Sequence, residues 1–110
     1  MAFDDKLASR IRRHLVKRKG VVEKKMFGGV GFLVNGNMAC GVMKDEMLVR
    51  VAPDETPAIV SRPHARHFEM GGRQSQKGWI LVGPKGIASD ADLVKWIDVG
   101  VAYASSLPKK

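Results

Sequence analysis

The stretch Lys24-Lys25-Met26-Phe27-Gly28-Gly29-Val30-Gly31-Phe32-Leu33-Val34-Asn35-Gly36 decides how this chain is read. Two basic residues lead into an apolar run with three glycines in four positions, and the run closes on Asn-Gly. Glycines at this density invite comparison with a phosphate-binding loop. Such a loop needs a strand before it and a helix N-terminus behind it, so that free backbone N–H groups converge on the anion. Here a strand pattern and a tight turn follow instead. The glycines therefore read as architectural, marking a bulge, a bend or a close approach of two backbones. Asn-Gly between apolar runs is the signature of a two-residue hairpin, because a type I′ turn needs positive φ at both central residues.

On either side of this hairpin the pattern continues. Val21 to Phe27 leads in, Met38 to Met43 returns, Lys44-Asp45-Glu46 turns, and Met47 to Val51 runs as the next strand. The result is a meander of about four antiparallel strands. Before it, residues 4–18 predict an amphipathic helix with Leu7, Ala8, Ile11 and Leu15 on one stripe. Asp4 and Asp5 suit its N-terminus and Gly20 stops it. After the meander, Pro53 to Arg62 predicts a short helical piece, Phe68 to Met70 a short strand within a polar loop, and Trp79 to Val82 a firmer strand. A last helix is predicted over 90–106, with Ser89 as N-cap and Pro108 beyond its end. This order predicts an α+β domain over residues 1–110: an antiparallel sheet of about five or six strands, terminal helices and one short middle helix.

Composition narrows the function classes. No apolar run approaches the roughly 20 residues that span a bilayer. Met1-Ala2-Phe3-Asp4-Asp5 lacks the basic and apolar regions of a secretory signal. The single cysteine, Cys40, cannot form an internal disulfide. A cytoplasmic location without membrane contact is expected. The net charge of +8 is unevenly placed: residues 1–25 hold nine Lys/Arg against three acids, and residues 62–85 hold five against one. Charge concentrated in this way points to a polyanionic partner, either nucleic acid or an acidic protein surface; plain solubility is the other reading.

Two sets of residues are candidate contacts. Lys6, Arg10, Arg13 and Lys17 fall on one narrow stripe of the first helix, which is either a solvated face or an anion-binding one. Arg62, His64, Arg66, His67, Arg73 and Lys77, with Lys85, form a second set in a loop region where Glu69 is the lone acid. Guanidinium forks and imidazoles suit phosphate and carboxylate groups. Signals for catalysis are weaker. No Gly-x-Ser-x-Gly elbow is present, and Cys40 sits in an apolar strand, where a cysteine acts as a small buried hydrophobe. His64 and His67 lack the further converging ligands of a metal site. No metal, cofactor or catalytic residue is assigned.

The pattern as a whole resembles the TfoX/Sxy N-terminal domain. The resemblance is carried by Lys25-Met26-Phe27-Gly28-Gly29-Val30-Gly31, Asn35-Gly36 and Leu48-Val49-Arg50-Val51. It continues through Gly78-Trp79 to Val82, Asp90, Asp92-Leu93, Trp96-Ile97, Ala102-Tyr103-Ala104 and Leu107-Pro108, covering about residues 5–108. It implies a fold with a secretion-chaperone-like arrangement and a bacterial role in regulating competence genes. It also implies partners in the transcription machinery, among them the cyclic-AMP receptor protein, and offers no catalytic residues. With Lys110 as its last residue, the chain reads as a stand-alone N-terminal domain without the C-terminal domain of the full-length regulators. The expected function is a non-enzymatic regulatory domain that binds a protein partner or nucleic acid. The alternative is a small ligand-binding or enzymatic domain built on His64, Arg66, His67 and Arg73.

Overall fold

Asn35 and Gly36 take φ of +52° and +84°, as a type I′ hairpin requires, and the sheet is organised around them. A computed structural model of the chain describes residues 4–26, 28–70, 73–74 and 78–108. Its elements are α1 (Asp5–Leu15), β1 (Val21–Met26), β2 (Gly29–Val34), β3 (Asn37–Met43) and β4 (Glu46–Arg50). Then come a 3-10 turn (Pro53–Glu55), α2 (Thr56–Val60), β5 (Ala65–His67), β6 (Glu69–Met70) and β7 (Arg73–Gln74). β8 (Trp79–Val82), a second 3-10 turn (Pro84–Ile87) and α3 (Asp90–Ser106) follow. The main sheet has six antiparallel strands in the order β1-β2-β3-β4-β8-β5, and β6 pairs with β7 as a separate ribbon. The α+β class is as expected. The polar loop after α2 holds more structure than its sequence signals: β5 completes the sheet before Phe68, and the predicted 68–70 strand is the ribbon strand β6.

The glycine run acts as a close-approach device. A Cβ on Gly29 would lie 2.1 Å from the Val42 carbonyl oxygen of β3, so only glycine fits there. The bulge lies further on, where the β2–β3 register shifts between Phe32 and Leu33. Phe32 pairs with Cys40 and Leu33 with Met38, which leaves Ala39 as the extra residue of β3. Ala39 and Cys40 are consequently both buried, against the alternation of an undisturbed strand.

All three helices contribute to the core on one face of the sheet. Leu7, Ala8, Ile11 and Leu15 of α1, Ile59 of α2, and Leu93, Trp96, Ile97, Val101 and Ala104 of α3 pack with Val30, Phe32, Cys40, Val42, Val49, Ile80 and Val82 of the strands. The alternate residues Leu48 and Leu81 face the other way and pack with Phe68. α3 seats deepest at Gly100, where a Cβ would stand 2.3 Å from the carbonyl oxygen of the bulged Ala39 and 3.0 Å from its carbon.

Side chains fix the ends of these elements. The Asp4 carboxylate caps α1 by accepting from the Lys6 and Leu7 N–H groups, and Ser89 Oγ caps α3 by accepting from Asp92 N–H. Two buried polar residues hold the connections. Thr56 Oγ1 donates to the Ala52 carbonyl at 3.1 Å and accepts from Gly78 N–H at 2.9 Å. Asn37 Nδ2 donates to the Pro108 carbonyl at 2.9 Å, tying the tail of α3 to the central hairpin. Arg12 forms a fork with Glu23 of β1, both N···O distances being 2.7 Å. This pairing raises the arginine's affinity for its proton and holds the Glu23 carboxyl below its usual range.

Two stability tests follow from these contacts. Gly100→Ala drives a methyl group into backbone that cannot yield, so it lowers stability by about 1–3 kcal/mol or more, read as a fall in the urea midpoint. Because Glu23 has a depressed folded pKa, its stabilisation is complete above the unfolded value of about 4.3 and drains away as pH falls through the folded value. The pair is largely solvent-exposed, so Glu23→Gln costs under about 1 kcal/mol at neutral pH. Urea titrations of both proteins should show this gap narrowing as the pH is lowered through the carboxylate range.

Candidate functional site

Burial of the apolar side of α1 leaves its opposite side in solvent. Lys6, Arg13 and Lys17 are exposed, and among the described residues none of them enters an ion pair. The fourth member of the stripe behaves differently. Arg10 turns toward α3, where Nε and Nη2 donate to Asp90 Oδ1 at 3.3 and 3.1 Å and Nη2 also donates to the Ala88 carbonyl at 3.2 Å. It bridges α1 to the start of α3. Helical spacing placed Arg10 with the others; only the fold brings an acid and a carbonyl 78–80 residues away within its reach.

The second set is divided by the sheet. Arg66 lies opposite Leu81 in the β5–β8 register, on the face turned away from the helices, and its guanidinium donates to the Glu46 carboxylate. The expectation that Glu69 is the lone acid of this region is corrected by that pair: β8 lies between β4 and β5 and brings Glu46 near, though it is 20 residues away in sequence. His67, opposite Ile80, is half-buried on the helix side. Arg62 and His64 precede β5 and are exposed near α3, with the Arg62 guanidinium carbon 5.5 Å from the centre of the Trp96 ring. Lys85 sits in the second 3-10 turn, on the same side as Arg62 and His64. Arg73 belongs to β7, and Lys77 lies outside the described residues.

The cluster of His64, Arg66, His67 and Arg73 is therefore not one constellation. Its described side chains part, with Arg66 on one sheet face and Arg62, His64 and Lys85 around an open groove on the other. Lys95 and Trp96 of α3 line the same groove. Neither was a candidate contact in the sequence, where Trp96 carried only the family resemblance and flanked the apolar stripe, and Lys95 reads as a solvated helix charge. A second unforeseen contact places the Arg50 guanidinium 5.1 Å from the Trp79 ring centre and 5.5 Å from that of Tyr103, beside the C-terminal half of α3.

Cys40 lies in β3, three strand spacings from β5 in the sheet order and so about 14 Å away. A thiol–imidazole pair with His64 or His67 is ruled out by that separation. The side chain is fully buried in the core, and burial pushes the thiol pKa up to about 12. Among the described residues no three of His, Cys, Asp and Glu come together as a cation site. No helix of the described residues is long and apolar enough to cross a membrane. Since only the thiolate reacts, Cys40 should resist thiol-exchange reagents in the native protein and titrate as one equivalent in guanidinium chloride. Rapid stoichiometric labelling without denaturant would contradict this placement.

Comparison with known proteins gives one assignment. The TfoX N-terminal domain family matches residues 13–104, from the last turn of α1 almost to the end of α3. No curated protein matches the chain. The family match covers the central hairpin, the whole six-stranded sheet and all but the first helical turns, so the chain belongs to the TfoX N-terminal domain family.

Proposed function

We propose that this chain is a regulatory domain that acts by binding rather than catalysis, in the bacterial control of competence genes, and that its partner is a protein with an acidic surface. Membership of the TfoX N-terminal domain family supports a regulatory, competence-associated role in general terms. The observation that carries the binding mode is the outward side of α1: Lys6, Arg13 and Lys17 stand exposed on a helix whose other side is anchored in the core. An anchored helix presents these charges with no backbone left to order at the moment of binding. Interspersed positive charge of this kind steers an acidic partner and fixes its orientation.

A protein partner is favoured over direct reading of DNA by the connectivity. α1 leads into β1 and α2 leads into β5, so the described elements offer no pair of successive helices to dock as a helix-turn-helix. Partners in the transcription machinery, such as the cyclic-AMP receptor protein, fit this reading.

The test is capture of partners from the native host by wild type and by the Arg13→Glu/Lys17→Glu double variant, each with and without nuclease. Arg10 is left intact because it holds α1 to α3. The expected outcome is a protein captured by wild type whether or not nuclease is present, and reduced about tenfold or more by the charge reversal. Capture that vanishes with nuclease would replace the protein partner by nucleic acid, and capture indifferent to the double variant would remove α1 from the interface.

A further inference from the structure

At one end of the helix layer three separate segments meet around an open groove of about 330 Å³. The exit of α2 contributes Arg62, Pro63 and His64; the second 3-10 turn contributes Lys85 and Gly86; and the first half of α3 contributes Asp92, Lys95 and Trp96. An arginine, two lysines and an imidazole thus share the groove with a single carboxylate. Three other arginines of the described structure are matched by acids, Arg10 by Asp90, Arg12 by Glu23 and Arg66 by Glu46. Here none of the four, nor Asp92, enters an ion pair among the described residues. Converging like charges oppose the compact fold, and a bound anion removes that penalty.

The groove is also held in shape by contacts that leave its donors free. Gly86 packs so closely on His64 that a Cβ there would stand 2.9 Å from the His64 Cβ and 2.7 Å from Val82 Cγ1. His64 has a φ of +68°, a left-handed backbone uncommon for a non-glycine residue, and its carbonyl accepts from Gly83 N–H at 2.9 Å. The position of this imidazole is set by the fold against its own backbone preference. The Arg62 guanidinium lies over the nearly buried Trp96 ring, which restrains it while leaving its N–H groups for hydrogen bonding.

We propose that this groove is a binding site for the phosphoryl group of a small phosphorylated molecule. Arg62 supplies a planar fork for two phosphoryl oxygens, Lys85 and Lys95 supply flanking point charges, and His64 supplies a ring N–H donor. The multiple charge of a phosphoryl group matches the excess of cations better than a single carboxylate does. The volume lies at the small end of ligand pockets, about 300–1,000 Å³, which fits a compact anion. This site is separate from the α1 surface and does not rest on the partner proposed for it.

The test uses pyrophosphate as the probe, with the full chain, reading the thermal midpoint and tryptophan fluorescence against sodium chloride at matched ionic strength. Wild type should show a saturable rise in midpoint with a fluorescence change that chloride does not reproduce. Lys85→Ala/Lys95→Ala, both at exposed positions, should weaken the apparent Kd about tenfold or more while circular dichroism stays unchanged. Lys6→Ala/Lys17→Ala removes the same charge from α1 and should leave the response intact. The Arg13→Glu/Lys17→Glu variant should keep it too, even where partner capture is lost. A response equal in both alanine pairs, or reproduced by chloride, would overturn the site as general screening. A response to a short DNA duplex with none to pyrophosphate would overturn it in favour of nucleic acid.

Discussion

The seating of α3 on β3 at Gly100 is the contact on which the rest of this structure depends. The bulge between Phe32 and Leu33 inserts Ala39 as an extra residue, and its carbonyl meets a helix with no side chain at the point of contact. Helix and strand backbones come closer there than any Cβ would permit. Leu93, Trp96, Ile97, Val101 and Ala104 then reach the core formed by the alternate residues of β2, β3, β4 and β8. A methylene of added separation would be felt along the whole interface, because protein interiors pack at crystal-like density.

From that seating the other helices and the candidate sites take their positions. Burial of Leu7, Ala8, Ile11 and Leu15 sets the roll of α1 and leaves Lys6, Arg13 and Lys17 in solvent, while Asp90 at the start of α3 receives Arg10. Trp96, one turn before Gly100, becomes the surface on which Arg62 rests, and Lys95 beside it joins Lys85 and His64 around the groove. Pro108, beyond the helix end, meets Asn37 and returns the tail to the central hairpin. Two cationic surfaces thus arise on opposite sides of one helix. One lies on α1 and suits an extended acidic partner; the other is concave and suits a compact anion.

The local elements were legible in the sequence because their signals are local. The Asn35-Gly36 turn is dictated by backbone sterics, the stripe Leu7, Ile11 and Leu15 by the helical period, and the start of α3 by the hydroxyl of Ser89. The α+β class follows from their order. Strands β5 and β7 were poorly legible, since two or three residues carry no alternation to detect and β5 is defined only by its pairing with β8, whereas the short strand expected over 68–70 is β6.

The charged residues show where sequence reading stops. By itself the sequence determined which residues are cationic, that they concentrate in two regions, and that Lys6, Arg10, Arg13 and Lys17 share one side of a helix. Only the tertiary structure decided which cations stay free. Arg10 is matched by Asp90 and Arg66 by Glu46, acids distant in the chain, whereas Arg62, His64 and Lys85 are joined by a lysine and a tryptophan from α3. The physical reason is that a charge's partner is set by distance in space. Helical and strand periods fix the direction of a side chain on its own element, but the acid that meets it is chosen by how sheet and helices pack.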